Sequence, residues 1–288
     1  MEPILHHIET QEGEMMNVKI KPPNIIDVSK KANMSVEEVE DFLALIKHSM
    51  ETFSKRISVI ENGNIRYYNV ERRGIGIIKT QYGDFWQYNF AIDDQWGKYS
   101  VIIKGDIDKE SFDPIFQKKD RLILRTDSGC ETGQVFGDMT CECAEQLQLS
   151  MKKISDEGEG MIIHIPHQDG RGMGLNFKLA TLWMQDVLRV DTVESASLLA
   201  PCGVIDVRTY SGIICILKFL KIQKEFQINL ATNNPKKAEI FQENGYTVID
   251  YVPVVIKPNS FTIEHLRAKQ ARLGHKGLIE EGNTNESK

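Results

Sequence analysis

The chain has 288 residues, 41% hydrophobic and 26% charged, with a formal net charge of −6. This is a globular composition. The acidic total argues against a duplex nucleic-acid binder, which carries a basic surplus, and no apolar run of about 18 residues offers a membrane-spanning helix. Residues 1–19 are mixed polar and acidic and lack the charged-then-apolar pattern of a signal peptide, so a cytoplasmic protein is expected. The five cysteines, an odd number, argue against a disulfide framework.

In chain order, residues 1–30 are polar, contain Pro22-Pro23, and are assigned no structure. A helix is predicted over 35–57. Ser35 and Glu38 form a capping-box pattern, and Val36, Val39, Phe42, Leu43, Ile46, Met50 and Phe53 follow at helical spacing. Periodicity alone makes it a packing helix. After the turn signal Glu61-Asn62-Gly63-Asn64, β-rich runs at 65–70, 76–80, 85–90 and 99–103 read as an antiparallel meander, with breaks at Gly83-Asp84 and 93–97. A further strand is expected at 122–125. Beyond Cys143 the pattern alternates: helix 145–156, strand 160–165, helices 175–188 and 210–221, strand 226–230, helix 235–243, and strands at 247–249 and 252–256. Such mixing predicts an α/β or α+β fold, with mixed β-sheets and flanking helices, an N-terminal helical extension and a mobile polar tail.

Three of the cysteines, Cys130, Cys141 and Cys143, have the spacing C-x10-C-x-C. Thiolates are soft ligands that suit zinc. In an extended Cys-x-Cys both sulfurs would share a face, and Gly133 and Gly137 would let Cys130 turn back to them. Three protein ligands would leave one tetrahedral position for water, which suits hydrolysis rather than a structural site. The spacing is equally compatible with three ordinary thiols. His164 and His167 are candidates for a fourth ligand, or for satisfied structural histidines.

Two further motifs suit an anion. In the segment 167–175, His-Gln-Asp-Gly-Arg-Gly-Met-Gly-Leu, three glycines at spacing two precede a helix and allow close backbone approach. There Arg171 could grip phosphate and Asp169 could accept from a base or ribose; the plainer reading is a glycine-rich turn. In Thr232-Asn233-Asn234-Pro235-Lys236-Lys237, a capping Asn and a Pro at the first helical position leave free N–H groups beside two lysines. The plainer reading is a capped helix with solvated lysines. Asp206-Val207-Arg208 could flank one site, or form a surface ion pair.

These motifs occur together, in this order, in GTP cyclohydrolase II, which the chain resembles from about Gly76 to Gly277. The likeness opens at Thr80-Gln81-Tyr82-Gly83-Asp84-Phe85 and includes Asp191-Thr192-Val193-Glu194. The resemblance implies an N-terminal extension (1–75), a catalytic domain (76–277) and a flexible tail (278–288). It implies a hydrolase that opens the imidazole ring of GTP at C8 and releases formate and pyrophosphate, the first step of riboflavin synthesis. By the same resemblance one zinc ion (Zn2+) per chain sits on Cys130, Cys141 and Cys143, and magnesium (Mg2+) accompanies the nucleotide phosphates. Asp206 matches the family's proton acceptor and Arg208 its proposed nucleophile. A guanidinium stays protonated, so Arg208 is expected instead to stabilise phosphoryl charge. Nucleotide contacts carried over fall on Arg125, Gln146, Asp169, Gly170, Arg171, Thr192, Thr232 and Lys237. A homodimer is implied as well, with no nucleic-acid or membrane partner.

The chain departs from the family pattern at three positions. Leu182 replaces a tyrosine and can relay no proton. Gly129 replaces an acid before the first cysteine, and Asp169 shortens a glutamate by one methylene. These departures open two alternatives: another nucleotide as substrate, such as a uridine nucleotide in pyrimidine breakdown, or release of a formylated intermediate.

Overall fold

The structure, a computed structural model, describes residues 20–93, 97–275 and 277–279. The expectations for residues 1–19, for turn residues 94–96 and for the tail from 280 on lie outside the described residues. The chain divides into two compact units, Met1–His48 and Ser49–Lys288.

The first unit is helical. Asn24 caps α1 (Ile25–Ala32) by accepting from the Ile26 N–H at 2.9 Å, and Asn33 ends it in the left-handed region. Helix α2 (Val36–Ser49) starts at the expected capping box: Ser35 Oγ accepts from the Glu38 N–H at 3.1 Å, and Glu38 accepts from the Ser35 N–H at 2.6 Å. It ends at Ser49, eight residues short of the prediction. Phe53 does fall at helical spacing, but it opens strand β1 (Phe53–Glu61), paired residue for residue with β2 (Asn64–Thr80). The two-residue turn between them, Asn62-Gly63, has both φ angles positive, at 52° and 74°, which sets the twist that a tight hairpin needs. Residues 53–75, assigned from sequence to the N-terminal extension, are therefore the first hairpin of the sheet.

In the second unit β1 and β2 are followed by β3 (Gly83–Ile92), β4 (Lys98–Lys104), the short pair β5 (Asp106–Ile107) and β6 (Pro114–Ile115), and β7 (Leu122–Ser128). Then come α3 (Glu131–Gln134), α4 (Cys143–Glu157), β8 (Gly160–Ile165), α5 (Leu175–Leu188), α6 (Thr192–Leu199), α7 (Ser211–Phe219), β9 (Gln227–Leu230), α8 (Glu239–Glu243), β10 (Thr247–Tyr251) and α9 (Ile263–Leu273). Eight strands form one mixed sheet in the order β1-β2-β3-β4-β8-β7-β9-β10. From β1 to β8 neighbours are antiparallel, and from β8 through β7 and β9 to β10 they are parallel. The runs at 65–70 and 76–80 are one long strand, with a register shift between Arg72 and Gly74.

Successive side chains on a strand face opposite ways, so the sheet needs cover on both sides. On one face Phe85, Ile123 and Ile162 pack with Ile154 of α4. On the other, Phe90 meets Phe219 of α7 edge-on at 5.2 Å, and Ile213 to Leu217 of that helix are all buried. Gly212 is required there, because a Cβ would meet the Tyr99 hydroxyl oxygen at 2.1 Å. The expected strand at 252–256 is absent. Its backbone pairs instead with a side chain: Asn233 accepts from the Val254 N–H at 3.0 Å and donates to the Val254 carbonyl at 2.7 Å.

At the outer edge of β1 the backbone of Ile60 is paired in the same way. The buried Asn244 amide accepts from the Ile60 N–H at 2.9 Å and donates to the Ile60 carbonyl at 2.8 Å, as a neighbouring strand would. Asn244→Ala leaves both groups unpaired and is expected to cost about 2 kcal/mol. That is several degrees in a thermal melt; an unchanged melting temperature would show that water replaces the amide without loss.

Candidate active site

Where parallel strands end, their following loops converge, and ligands bind at that edge of an open sheet. Here β7, β8 and β9 end together. They lead respectively into the cysteine segment, the glycine-rich segment 167–175 and the segment 232–237. The resulting cleft encloses about 190 Å3 and brings together all three cysteines with Arg125, Gln146, Gly170, Arg171, Thr192, Arg208, Thr232 and Lys237.

The first loop is folded by its own polar groups. Gly129 passes beneath β8, donating to the Ile165 carbonyl at 2.7 Å; a Cβ there would meet that oxygen at 2.7 Å and Pro166 Cα at 2.9 Å. No side chain fits at 129, which accounts for the missing acid. Cys130 opens the single turn α3, and Asp138 holds the returning chain through Thr132 Oγ1 and the Thr140 N–H. Cys141 precedes α4 and Cys143 begins it. The expectation of an extended Cys-x-Cys does not hold: Glu142 has φ −98° and ψ 16°, and a helix start, not a strand face, turns both sulfurs inward.

All three Sγ atoms lie within 4.8 Å of one another, and Cys130 and Cys141 are 3.8 Å apart. A disulfide needs about 2.05 Å, whereas two sulfurs at ~2.3 Å from one tetrahedral ion are separated by about 3.8 Å. Gly133 lies against them, where a Cβ would touch Cys141 Sγ at 2.6 Å and Cys130 Sγ at 3.2 Å. Hydrogen bonds from Cys141 and Cys143, helped by Lys178, hold the Cys130 thiol far below its ordinary range. The Cys130 sulfur in turn pushes Cys141 up to about 11 and raises Cys143 further. A soft divalent cation among the sulfurs would let all three ionise. The donor set and its spacing fit zinc. Among the described residues no fourth Cys, His, Asp or Glu joins the cluster. His164 is engaged elsewhere, with Nδ1 2.8 Å from Asp127, and His167 is exposed.

Sequence reasoning passed over Lys178, Asp127, Glu142 and the C-terminal helix. Lys178 Nζ donates to Cys130 Sγ at 2.7 Å and lies 3.8 Å from Asp169. Asp127 is fully engaged, accepting from Arg125 at 3.3 Å and from Gln134 at 2.8 Å as well as facing His164. Burial would raise its carboxyl, but the His164 hydrogen bond and the Arg125 charge hold it at about 2. Burial would likewise raise Glu142, which the charge and hydrogen bond of Lys269 above all hold at about 2. His265, Lys269, Leu273 and His275 line the cleft; the spacing of the first three, i, i+4 and i+8, was readable as one helix face.

Two predicted site residues, the nucleotide contact Asp169 and the catalytic Asp206, are not among the residues that line the cleft. Asp169 accepts from the Glu131 N–H at 3.1 Å, supporting the cysteine loop. Asp206 grips Arg208 through Nε at 2.9 Å and Nη2 at 2.5 Å, so the pair is one unit with the guanidinium toward the cleft. Arg171 reaches Thr192 Oγ1 at 3.3 Å, and its Nη1 is buried without a partner. Lys237 is neither solvated nor free. It is buried, donating to the Thr126 carbonyl at 2.9 Å and Ser128 Oγ at 3.3 Å. Burial, with Arg125 and Arg208 nearby, lowers its pKa well below that of an ordinary lysine.

Residues 71–253 match the model of the GTP cyclohydrolase II family. A GTP cyclohydrolase-2 of Picrophilus torridus is 33% identical over 211 residues, 73% of this chain and 98% of that protein. A GTP cyclohydrolase-2 of Streptomyces coelicolor is 30% identical over 222 residues, 77% of this chain and 93% of that protein. The riboflavin biosynthesis protein RibBA of Parabacteroides distasonis is 30% identical over 271 residues, 94% of this chain. The chain spans only 58% of that relative's length.

Gly133→Ala drives a methyl group into the sulfur cluster. The variant is expected to keep its circular dichroism spectrum while losing most of its bound metal; one equivalent of zinc retained at wild-type affinity would show that the loop relaxes around the methyl.

Proposed function

From the premise that this chain belongs to the GTP cyclohydrolase II family, we propose that it is a zinc-dependent hydrolase that opens the imidazole ring of GTP and releases formate and pyrophosphate. One observation carries the reading. The three-sulfur cluster opens onto the same cleft as Arg125, Arg171, Arg208 and Lys237, so a metal and a polyphosphate would meet in one cavity. The whole chain is acidic, so this concentration of cations is local and suits a highly charged anion.

Zinc, held by Cys130, Cys141 and Cys143, would supply Lewis acidity and make water a competent nucleophile at neutral pH. Magnesium would arrive with the nucleotide phosphates. The residues of the chain do the rest. Asp206 clamps the Arg208 guanidinium in one plane and keeps it charged, and Arg208 thereby stabilises charge on the phosphates. Arg171, with an unpaired buried Nη1, is poised to donate to a phosphate or ribose oxygen. Lys178 donates to Cys130 Sγ and so favours its thiolate form, alongside the neighbouring cysteines. Thr192 and Thr232 line the cleft.

Leu182 favours a second reading. It stands in the cleft wall at the position of the family's tyrosine and offers no hydroxyl. In that reading ring opening stops at a formylated product. The test is incubation of the zinc-loaded protein with GTP, and separately with UMP, in magnesium, measuring formate and pyrophosphate. Both products from GTP are expected. Pyrophosphate without formate would establish the second reading, and turnover of UMP alone would replace the substrate.

Cys141→Ser is expected to abolish metal binding and turnover together, measured as zinc per chain and pyrophosphate release. Lys237→Ala is expected to raise KM for the nucleotide about tenfold or more; an unchanged KM would leave the lysine only a structural role. A triphosphate would raise the depressed pKa of Lys237, so binding takes up a proton, and affinity falls with rising pH between the free and bound values. Calorimetry in two buffers of different ionisation enthalpy reads this uptake; no difference between them would show that Lys237 keeps one protonation state.

A further inference from the structure

A polar chain crosses the cleft from the C-terminal helix to β7. Lys269 Nζ on α9 donates to Glu142 Oε1 at 2.9 Å. Gln146 donates to the same oxygen at 3.2 Å and accepts from Arg125 at 3.3 Å, and Arg125 reaches Asp127 at 3.3 Å. Helix α9 lies beyond the 71–253 that the family model matches. It is nonetheless tied to both sides of the site, through Lys269 and through Arg272, which lies 3.1 Å from Asp191 and 3.3 Å from Glu194 at the start of α6.

Among the described residues two carboxylates line the cleft, Asp127 and Glu142. Both Asp127 oxygens are taken, Oδ1 by Arg125 and Oδ2 by Gln134 and His164. Glu142 is 4% exposed, and its Oε1 is doubly occupied, but its Oε2 is buried with no hydrogen-bond partner. No side chain can be supplied from position 129, where a Cβ would strike the Ile165 carbonyl. A buried anionic oxygen without a donor is costly, and here it stands beside two metal-ligand candidates in a cleft shaped for a ligand.

We propose that Glu142 Oε2 is the base-recognition acceptor of the site, taking an N–H from the edge of the nucleobase, with Lys269 of the C-terminal helix fixing the carboxylate for that contact. The inference rests on the nucleotide reading above and adds to it the group that selects the base. Guanine offers a ring N–H and an exocyclic amine on one edge. Adenine offers a ring lone pair at the corresponding ring position, which a carboxylate repels. Glu142 is therefore a specificity determinant, and Lys269 a positioning residue.

The test measures binding of the non-hydrolysable α,β-methylene analogues of GTP and ATP to the zinc-loaded protein by calorimetry, with zinc content and melting temperature as controls. The wild-type protein should prefer the guanosine analogue at least tenfold, a comparison that needs no variant. Glu142→Gln should reduce that preference about tenfold or more at unchanged zinc content. Lys269→Met, which leaves the carboxylate in place, should reduce it less. If Glu142→Gln does not fold, Glu142→Asp, one methylene short, should lose preference in the same direction. An unchanged guanosine preference in a folded, metal-loaded Glu142 variant would overturn the proposal and leave the nucleotide reading standing. So would equal losses in the Gln and Met variants, which would show a purely structural ion pair. Wild-type protein that binds neither analogue would overturn both readings.

Discussion

Three sulfurs within 4.8 Å of one another cannot all carry charge unless a cation stands among them. Much of the local architecture answers to that constraint. Gly129 and Gly133 sit where any side chain would collide with the β8 end or with the sulfurs themselves. The start of α4 brings Cys143 to the cluster, and a helix N-terminus favours a thiolate. Lys178 supplies one fixed positive charge, and Asp169, by holding the Glu131 N–H, ties the glycine-rich loop to the cysteine loop. A change at any of these positions acts through the sulfurs, whether or not it reaches the ligand.

The sheet explains why this cluster meets a cationic wall. Antiparallel strands alone would send successive loops to alternate ends. The change of direction at β8, where β7 and then β9 run parallel to it, delivers three loops to one edge. Each brings a different chemistry: thiols from the first, backbone turns and Arg171 from the second, Lys237 from the third. Among the described residues, none of the hairpin β1–β2 or of the strands β3 and β4 lines the cleft. They extend the sheet and, with α7, bury the opposite face.

Much of this was legible in the chain, for reasons that differ by residue. Short soft-ligand spacing and glycine-rich turns are local signals, so the cysteines and the 167–175 segment could be found without a fold. The strands of the meander announced themselves as β-rich runs between turn signals. Phe53 reads wrongly as part of the helix, because one residue satisfies a helical and a strand period equally, and only nine consecutive cross-strand pairs with β2 decide the matter. The strand expected at 252–256 failed because Asn233, a side chain, took the place of a partner strand. Lys178 and Glu142 were invisible as functional groups for a related reason. Their roles arise from neighbours 48 and 127 residues away, at Cys130 and Lys269, which no local pattern encodes.

Lys237 shows how burial changes the meaning of a motif. Beside a capped helix start it reads as a solvated lysine with a phosphate within reach. In the structure it is enclosed, hydrogen-bonded to Thr126 and Ser128, and set over the Tyr210 ring at 5.4 Å with two arginines close by. Burial among like charges drives Lys237 toward its neutral form, and the protein's own carboxylates offset this only in part: Asp127 is shared with Arg125 and His164, and Asp206 is committed to Arg208. In the proposed function an anionic ligand would supply the counter-charge that restores the ammonium. A site held under such strain gives up folding stability to gain affinity for an anion, and stabilising substitutions that neutralise these cations would be expected to weaken binding.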